Sequence, residues 1–178
     1  AFERNGYAKK KGTYVHESRG MINGYNVYDQ SSEYTVHKPF ETFTAGKYVV
    51  TALPAKHIPE ENCFIYLVRE GDKTLLYATD TGYFKRSVFD YFVKNGIKLD
   101  AMIVDSTYGL VCSSDKAHMN FFDNDELRKE LMSLGIIDEK TQCYLTHIFH
   151  GAAKDLDLLE KAVPEGYTLL RDGYTFTI

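Results

Sequence analysis

From Phe40 onward the sequence alternates strand-like and helix-like segments, and several of the strand-like ones end on an ionisable residue. No other feature constrains the fold as much. Helices placed between strands pack on a sheet, and the strand ends then deliver polar residues to a shared edge. Lys47 to Leu53 (KYVVTAL) is β-rich. Cys63 to Arg69 (CFIYLVR) and Thr74 to Thr79 (TLLYAT) flank Glu70-Gly71-Asp72-Lys73, a hairpin signal because Gly supplies the positive φ that a tight turn requires. Phe84, Val88, Tyr91 and Phe92 stand at helical spacing, and Gly96 follows as a stop. Ala101 to Val104 reads as a short buried strand ending at Asp105. Asp123 then opens a second helix, with Glu126 three residues on in a capping-box pattern and Leu127, Leu131 and Leu134 on one face. Gln142 to Leu145 is a further strand, ending at Thr146-His147. A third helix carries Leu156, Leu159 and Val163 and breaks at Pro164 to Gly166. Tyr167–Leu170 and Tyr174–Ile178 around Asp172-Gly173 read as a closing hairpin. The order β, ββ, α, β, α, β, α, ββ predicts a layered α/β protein.

The first 39 residues differ in texture. Gly, Ser, Asn, Tyr and Lys mix there with no sustained period, which predicts an irregular lead-in ahead of one organised region over 40–178. Hydrophobic residues make up 44% and charged residues 26%, the balance of a globular chain. A net charge of −4 offers no basic face, so nucleic acid is not an expected partner. The apolar runs are only a few residues long, so no membrane span is expected. Cys63, Cys112 and Cys143 are odd in number and not closely paired, which points to a reduced, cytoplasmic setting.

Chemistry is suggested by ionisable groups at strand ends. His57 follows the first strand, Asp80 ends LLYAT within Thr79-Asp80-Thr81-Gly82, His118 lies in the loop before the second helix, and His147 ends CYLT. Imidazole and carboxylate on rigid strand ends suit divalent cations, but these separations form no local ligand motif. Spacing alone leaves two readings open: a metal site, or histidines satisfied locally. No G-x-S-x-G elbow and no phosphate-cradling glycine loop occurs. The cysteines carry no flanking signature of a catalytic thiol.

Four segments in order resemble the C-terminal portion of the metallo-beta-lactamase superfamily, in the branch of metal-dependent phosphodiesterases related to the phosphonate-pathway cyclic phosphodiesterase and tRNA-maturing nucleases. They are Val50-Thr51-Ala52-Leu53-Pro54-Ala55-Lys56-His57, Leu75-Leu76-Tyr77-Ala78-Thr79-Asp80-Thr81-Gly82, Ile103-Val104-Asp105-Ser106-Thr107 followed by Ala117-His118-Met119-Asn120, and Tyr144-Leu145-Thr146-His147-Ile148-Phe149-His150. The resemblance runs from Phe40 to Ile178. It implies part of an αββα sandwich with a mixed sheet flanked by helices. It further implies His57 as ligand to one metal, His147 as ligand to the other and Asp80 as the bridging carboxylate. His118 resembles the general acid, and Asp105 resembles a strand-end aspartate of the catalytic set. The implied cofactor is a pair of divalent cations, Zn or Mn, and the implied substrate a small-molecule phosphodiester or ester. The superfamily's H-x-H-x-D-H motif is absent, and no histidine cluster precedes His57. Two expectations follow. The chain is the later portion of a longer protein, holding half a dinuclear site, or it is a metal-free remnant used for association. Half a sandwich also leaves a sheet face open, which calls for the missing N-terminal portion or a second copy in a homodimer.

Overall fold

A computed structural model describes residues 7–10, 13–16, 21–22, 25–26, 35–152 and 156–178. The chain divides into two units between Lys38 and Pro39. In the first unit β1 (Tyr7–Lys10) pairs antiparallel with β2 (Thr13–His16), and β3 (Met21–Ile22) with β4 (Tyr25–Asn26). Much of the lead-in expected over residues 1–39 lies outside the described residues.

The second unit is a seven-stranded mixed sheet with helices, the α/β architecture that the segment order predicts. Its strands are β5 (Thr42–Ala45), β6 (Tyr48–Pro54), β7 (Phe64–Glu70), β8 (Lys73–Ala78), β9 (Ala101–Asp105), β10 (Gln142–Thr146) and β11 (Tyr167–Leu169). They lie across the sheet in sequence order. β5 to β8 form an antiparallel meander, and β8 to β11 are parallel neighbours. Hairpin geometry explains the first half: Gly71, at φ 59, turns β7 into β8. The second half needs crossovers, supplied by α1 (Arg86–Lys94), α2 (Phe121–Ser133) and α3 (Leu156–Ala162).

Each crossover steps to the next strand in the same direction. Right-handed connections of that kind put every helix on the same face. Accordingly Val88, Phe89 and Phe92 of α1, Leu127 and Leu131 of α2 and Leu159 of α3 share one core with Leu53, Ile65, Leu67, Leu76, Met102, Val104, Cys143 and Leu145. Strand residues alternate between faces, so Tyr66, Tyr77, Ile103 and Tyr144, which are successive cross-strand partners, point the other way. Tyr66 and Tyr77 are 37% and 44% exposed. No helix among the described residues is long and apolar enough to cross a membrane.

Three details depart from the sequence reading. β5 was not expected: it is a four-residue edge strand and largely exposed. α2 begins at Phe121 rather than Asp123. Its capping box joins Asn120 to Asp123, because the Asn120 side chain accepts from the Asp123 N–H at 2.9 Å and Asp123 sits one turn inside the helix. The closing hairpin does not form. After α3, the crossover sets β11 parallel to β10, and the tail beyond the Gly173 turn packs rings instead of pairing as a strand. Phe176 lies 4.4 Å from Tyr144 between ring centroids, and Gln142 Nε2 donates to the Thr177 carbonyl at 3.0 Å.

Candidate metal centre

β6 and β8 are both antiparallel to β7, and β8, β9 and β10 are mutually parallel, so four strands end at one edge. Ligand sites of α/β sheets form outside such carboxyl ends. His57, Asp80, Asp105 and His147 lie at or just past these four ends. The loop after β9 brings His118 back to the same place.

Asp105 is the buried anchor, with 0% exposure. Its Oδ1 accepts the Thr107 N–H at 2.9 Å, the Thr107 hydroxyl at 2.8 Å and the Met119 N–H at 3.3 Å. Its Oδ2 accepts the Thr81 N–H at 3.2 Å and faces His118 Nδ1 at 2.7 Å. A carboxylate can be buried at tolerable cost only when its oxygens are met in this way. From α2, the fully buried Asn124 donates Nδ2 to the Asp105 carbonyl at 2.9 Å, tying the strand end to the helix layer. Thr81, Thr107 and Asn124 escaped the sequence reading. Thr107 alone left a local signal, since Asp-Ser-Thr suits a turn in which the aspartate side chain accepts the N–H two residues on.

Asp80 and His147 occupy the outer lip, with side chains 56% and 41% exposed. Both backbones are left-handed, at φ 54 and φ 67. Such a conformation costs on the order of 1–3 kcal/mol in a residue with a side chain and collects at functional sites. Here it turns each side chain off the end of its strand. His147 Nε2 lies 3.2 Å from Asp80 Oδ1, while His147 Nδ1 lies 2.8 Å from Thr107 Oγ1. The His118 ring stacks on His147 with centroids 5.6 Å apart and planes 17° apart.

His57 is half-buried at the margin. Its Nδ1 faces the Ala117 carbonyl at 3.4 Å, and its ring meets the edge of His118 at 4.8 Å. Its loop is fastened to the Asp80 loop through the Lys56 N–H, which donates to Thr81 Oγ1 at 3.0 Å, and the Gly82 N–H, which donates to the Lys56 carbonyl at 2.8 Å. A Cβ on Gly82 would stand 1.9 Å from the Lys116 carbonyl oxygen, so only glycine lets the 113–118 loop close here. That loop is held in turn by Asp115, whose carboxylate accepts the Ala117 N–H at 2.9 Å and the Tyr108 hydroxyl at 2.7 Å. The Ala117 N–H, and after it the Tyr108 hydroxyl, hold the Asp115 carboxyl below the usual range. The same bond raises the Tyr108 phenol.

The structure therefore brings together four of the five residues singled out in the sequence. One donor atom each from Asp80, Asp105, His118 and His147 lies within 4.8 Å of the others, whereas His57 stands beside His118 outside that group. Imidazole nitrogens and carboxylate oxygens converging in this way are a donor set that could hold a metal ion.

The fold defines the class: the chain has the metallo-beta-lactamase fold. Among solved structures it is similar to the metallo-beta-lactamase fold protein YhfI from Bacillus subtilis, at 22% identity and TM-score 0.59, over 83% of this chain and 57% of that one. It is also similar to unliganded yeast PDE1, at 13% identity and TM-score 0.56 over 77% and 48% of the two chains. A diphosphatase of the PhnP family matches at 19% identity and TM-score 0.54, over 79% and 46%. The chain thus spans about half the length of the solved structures it matches. No family model and no curated protein matches the chain.

Proposed function

We propose that the protein is a metal-dependent hydrolase of phosphodiesters or related small-molecule esters, and that this chain carries the second half of a dinuclear site. The observation that carries this reading is the convergence of Asp80, Asp105, His118 and His147 donor atoms at the carboxyl edge of the sheet. The PhnP-family diphosphatase among the neighbours favours phosphate chemistry. Zinc or manganese, when bound, would supply a hydroxide from water and offset the charge that builds on the phosphoryl oxygens. His147, His57 and Asp80 would hold the cations. His118 gives a proton from Nε2 to the departing alkoxide, and Asp105, bonded to Nδ1, holds the ring in place for that transfer. Three free cysteines suit a cytoplasmic setting.

The open tyrosine face supports a second element of the proposal: in the working protein it is covered by a portion that this chain lacks or by a second copy. It also favours the rival reading, in which a metal-free remnant of the fold serves association alone.

Elemental analysis and an ester assay separate the two. After loading with zinc or manganese, the chain should retain one ion, weakly held. Hydrolysis of bis-p-nitrophenyl phosphate should be slow and metal-dependent, and His118→Ala should lower kcat by about 10²–10⁴-fold. Two tightly held ions would overturn the half-site assignment. No turnover with either metal would favour the remnant.

A further inference from the structure

The Thr107 hydroxyl lies within hydrogen-bond reach of three functional groups at once: Asp105 Oδ1 at 2.8 Å, His118 Nδ1 at 3.0 Å and His147 Nδ1 at 2.8 Å. A hydroxyl has one proton and two lone pairs. The carboxylate only accepts, so the proton goes to Asp105, and the lone pairs are left for the two rings. Both Nδ1 atoms must then carry hydrogen. For His118 this state is fixed twice, because Asp105 Oδ2 also faces its Nδ1 at 2.7 Å. For His147 it is not: Asp105 Oδ2 stands 3.7 Å from its Nδ1, beyond hydrogen-bond reach. Among the described residues, Thr107 is the hydrogen-bond partner of that nitrogen.

We infer that Thr107 is a positioning residue that sets the tautomer of His147, relaying the polarity of the buried Asp105 carboxylate to a ring the carboxylate does not reach. The consequence appears at the other nitrogen. With hydrogen on Nδ1, His147 presents a bare Nε2 lone pair to Asp80 Oδ1 at 3.2 Å. That lone pair and the exposed Asp80 carboxylate are groups that would hold a cation. Histidine ligands commonly have the far nitrogen fixed by a carboxylate, carbonyl or water. Here a threonine hydroxyl takes that place, itself oriented by its own N–H, which donates to the same Asp105 Oδ1 at 2.9 Å. The inference deepens the metal-centre reading and rests on it for its purpose, but not for its test.

The test uses the full metal-free chain, wild type, Thr107→Ser and Thr107→Val, with imidazole ¹H–¹⁵N spectra at a pH of about 9, well above the ordinary histidine pKa. Wild type and Thr107→Ser should show His147 as the Nδ1–H form. Thr107→Val, which keeps the shape and loses the hydroxyl, should convert His147 wholly or largely to the Nε2–H form and leave His118 as Nδ1–H. Zinc affinity, by chelator competition, should fall about 10–100-fold in Thr107→Val and be restored by Thr107→Ser. His147 found as Nε2–H in wild type, or unchanged in a folded Thr107→Val, would overturn the assignment. Should the valine variant not fold, wild type and the serine variant still decide it. Failure of wild type to bind zinc would sink the hydrolase reading and leave the tautomer result intact.

Discussion

The two faces of the sheet are built from the same strands yet have opposite fates. Leu67, Leu76, Val104 and Leu145 point toward the helices and are at most 1% exposed. Their immediate neighbours Tyr66, Tyr77, Ile103 and Tyr144 point away; Tyr66 and Tyr77 keep more than a third of their surface, while Tyr144 is covered where the tail lays Phe176 against it. Nothing in strand propensity separates the two sets. The difference comes from topology: strands laid down in sequence order, each parallel step crossing with the same hand, send all three helices to one side. The lesson is that one connectivity rule decides which half of an alternating pattern becomes core, and tyrosine, apolar in body and polar at the tip, suits the side left open.

The contrast can be broken most directly by truncating each face. Leu76→Ala, on the strand face under the helix layer, should lower the stability of the chain by about 2–5 kcal/mol, whereas Tyr77→Ala should cost under about 1 kcal/mol in denaturant titrations. Equal losses would mean the open face is packed after all. The next largest effect concerns what covers that face. If a second copy does, sedimentation should show concentration-dependent dimers at micromolar chain, lost in the Tyr66→Lys/Tyr77→Lys variant. A monomer in both would rule out a second copy as the cover.

The smallest effect sharpens the comparison through thiols. Burial against the helix layer pushes the Cys143 thiol up to about 11, from an ordinary value of 9.0, while Cys112 is exposed. Iodoacetamide at a pH of about 8 should label Cys112 and spare Cys143 in the native chain. The sign for stability follows. Between pH 9 and 11 the unfolded thiol has lost its proton and the folded one has not, so stability should fall as pH rises through that window. A Cys143→Ala variant should have a shallower slope there, with the remainder coming from Tyr83 and Tyr167, whose phenols burial also raises.

How much of the site could be read beforehand depends on how local its geometry is. His57, Asp80, Asp105, His118 and His147 were all marked by their places at strand ends or in the loop before α2. That mark says only that a side chain reaches an edge. It does not say that Asp80 and His147 turn outward on left-handed backbones, or that His57 stands outside the close group. The Thr107 contact with His147 joins residues 40 apart, and the Asn124 bond to Asp105 joins residues 19 apart. No short-range pattern encodes either.

What the sequence determined by itself is the order of strands and helices from β6 to β11, the turn at Gly71, and which groups arrive at the carboxyl edge, because periodicity and glycine conformation act over a few residues. The tertiary structure alone decided the rest. It chose the face that is buried, replaced the expected closing hairpin with a parallel strand and a folded-back tail, and gathered a buried aspartate, two histidines and one hydroxyl into a connected set. The physical reason is common to all three. Packing and hydrogen-bond satisfaction are settled among groups distant in the chain, and each group's partner exists only after the sheet has assembled.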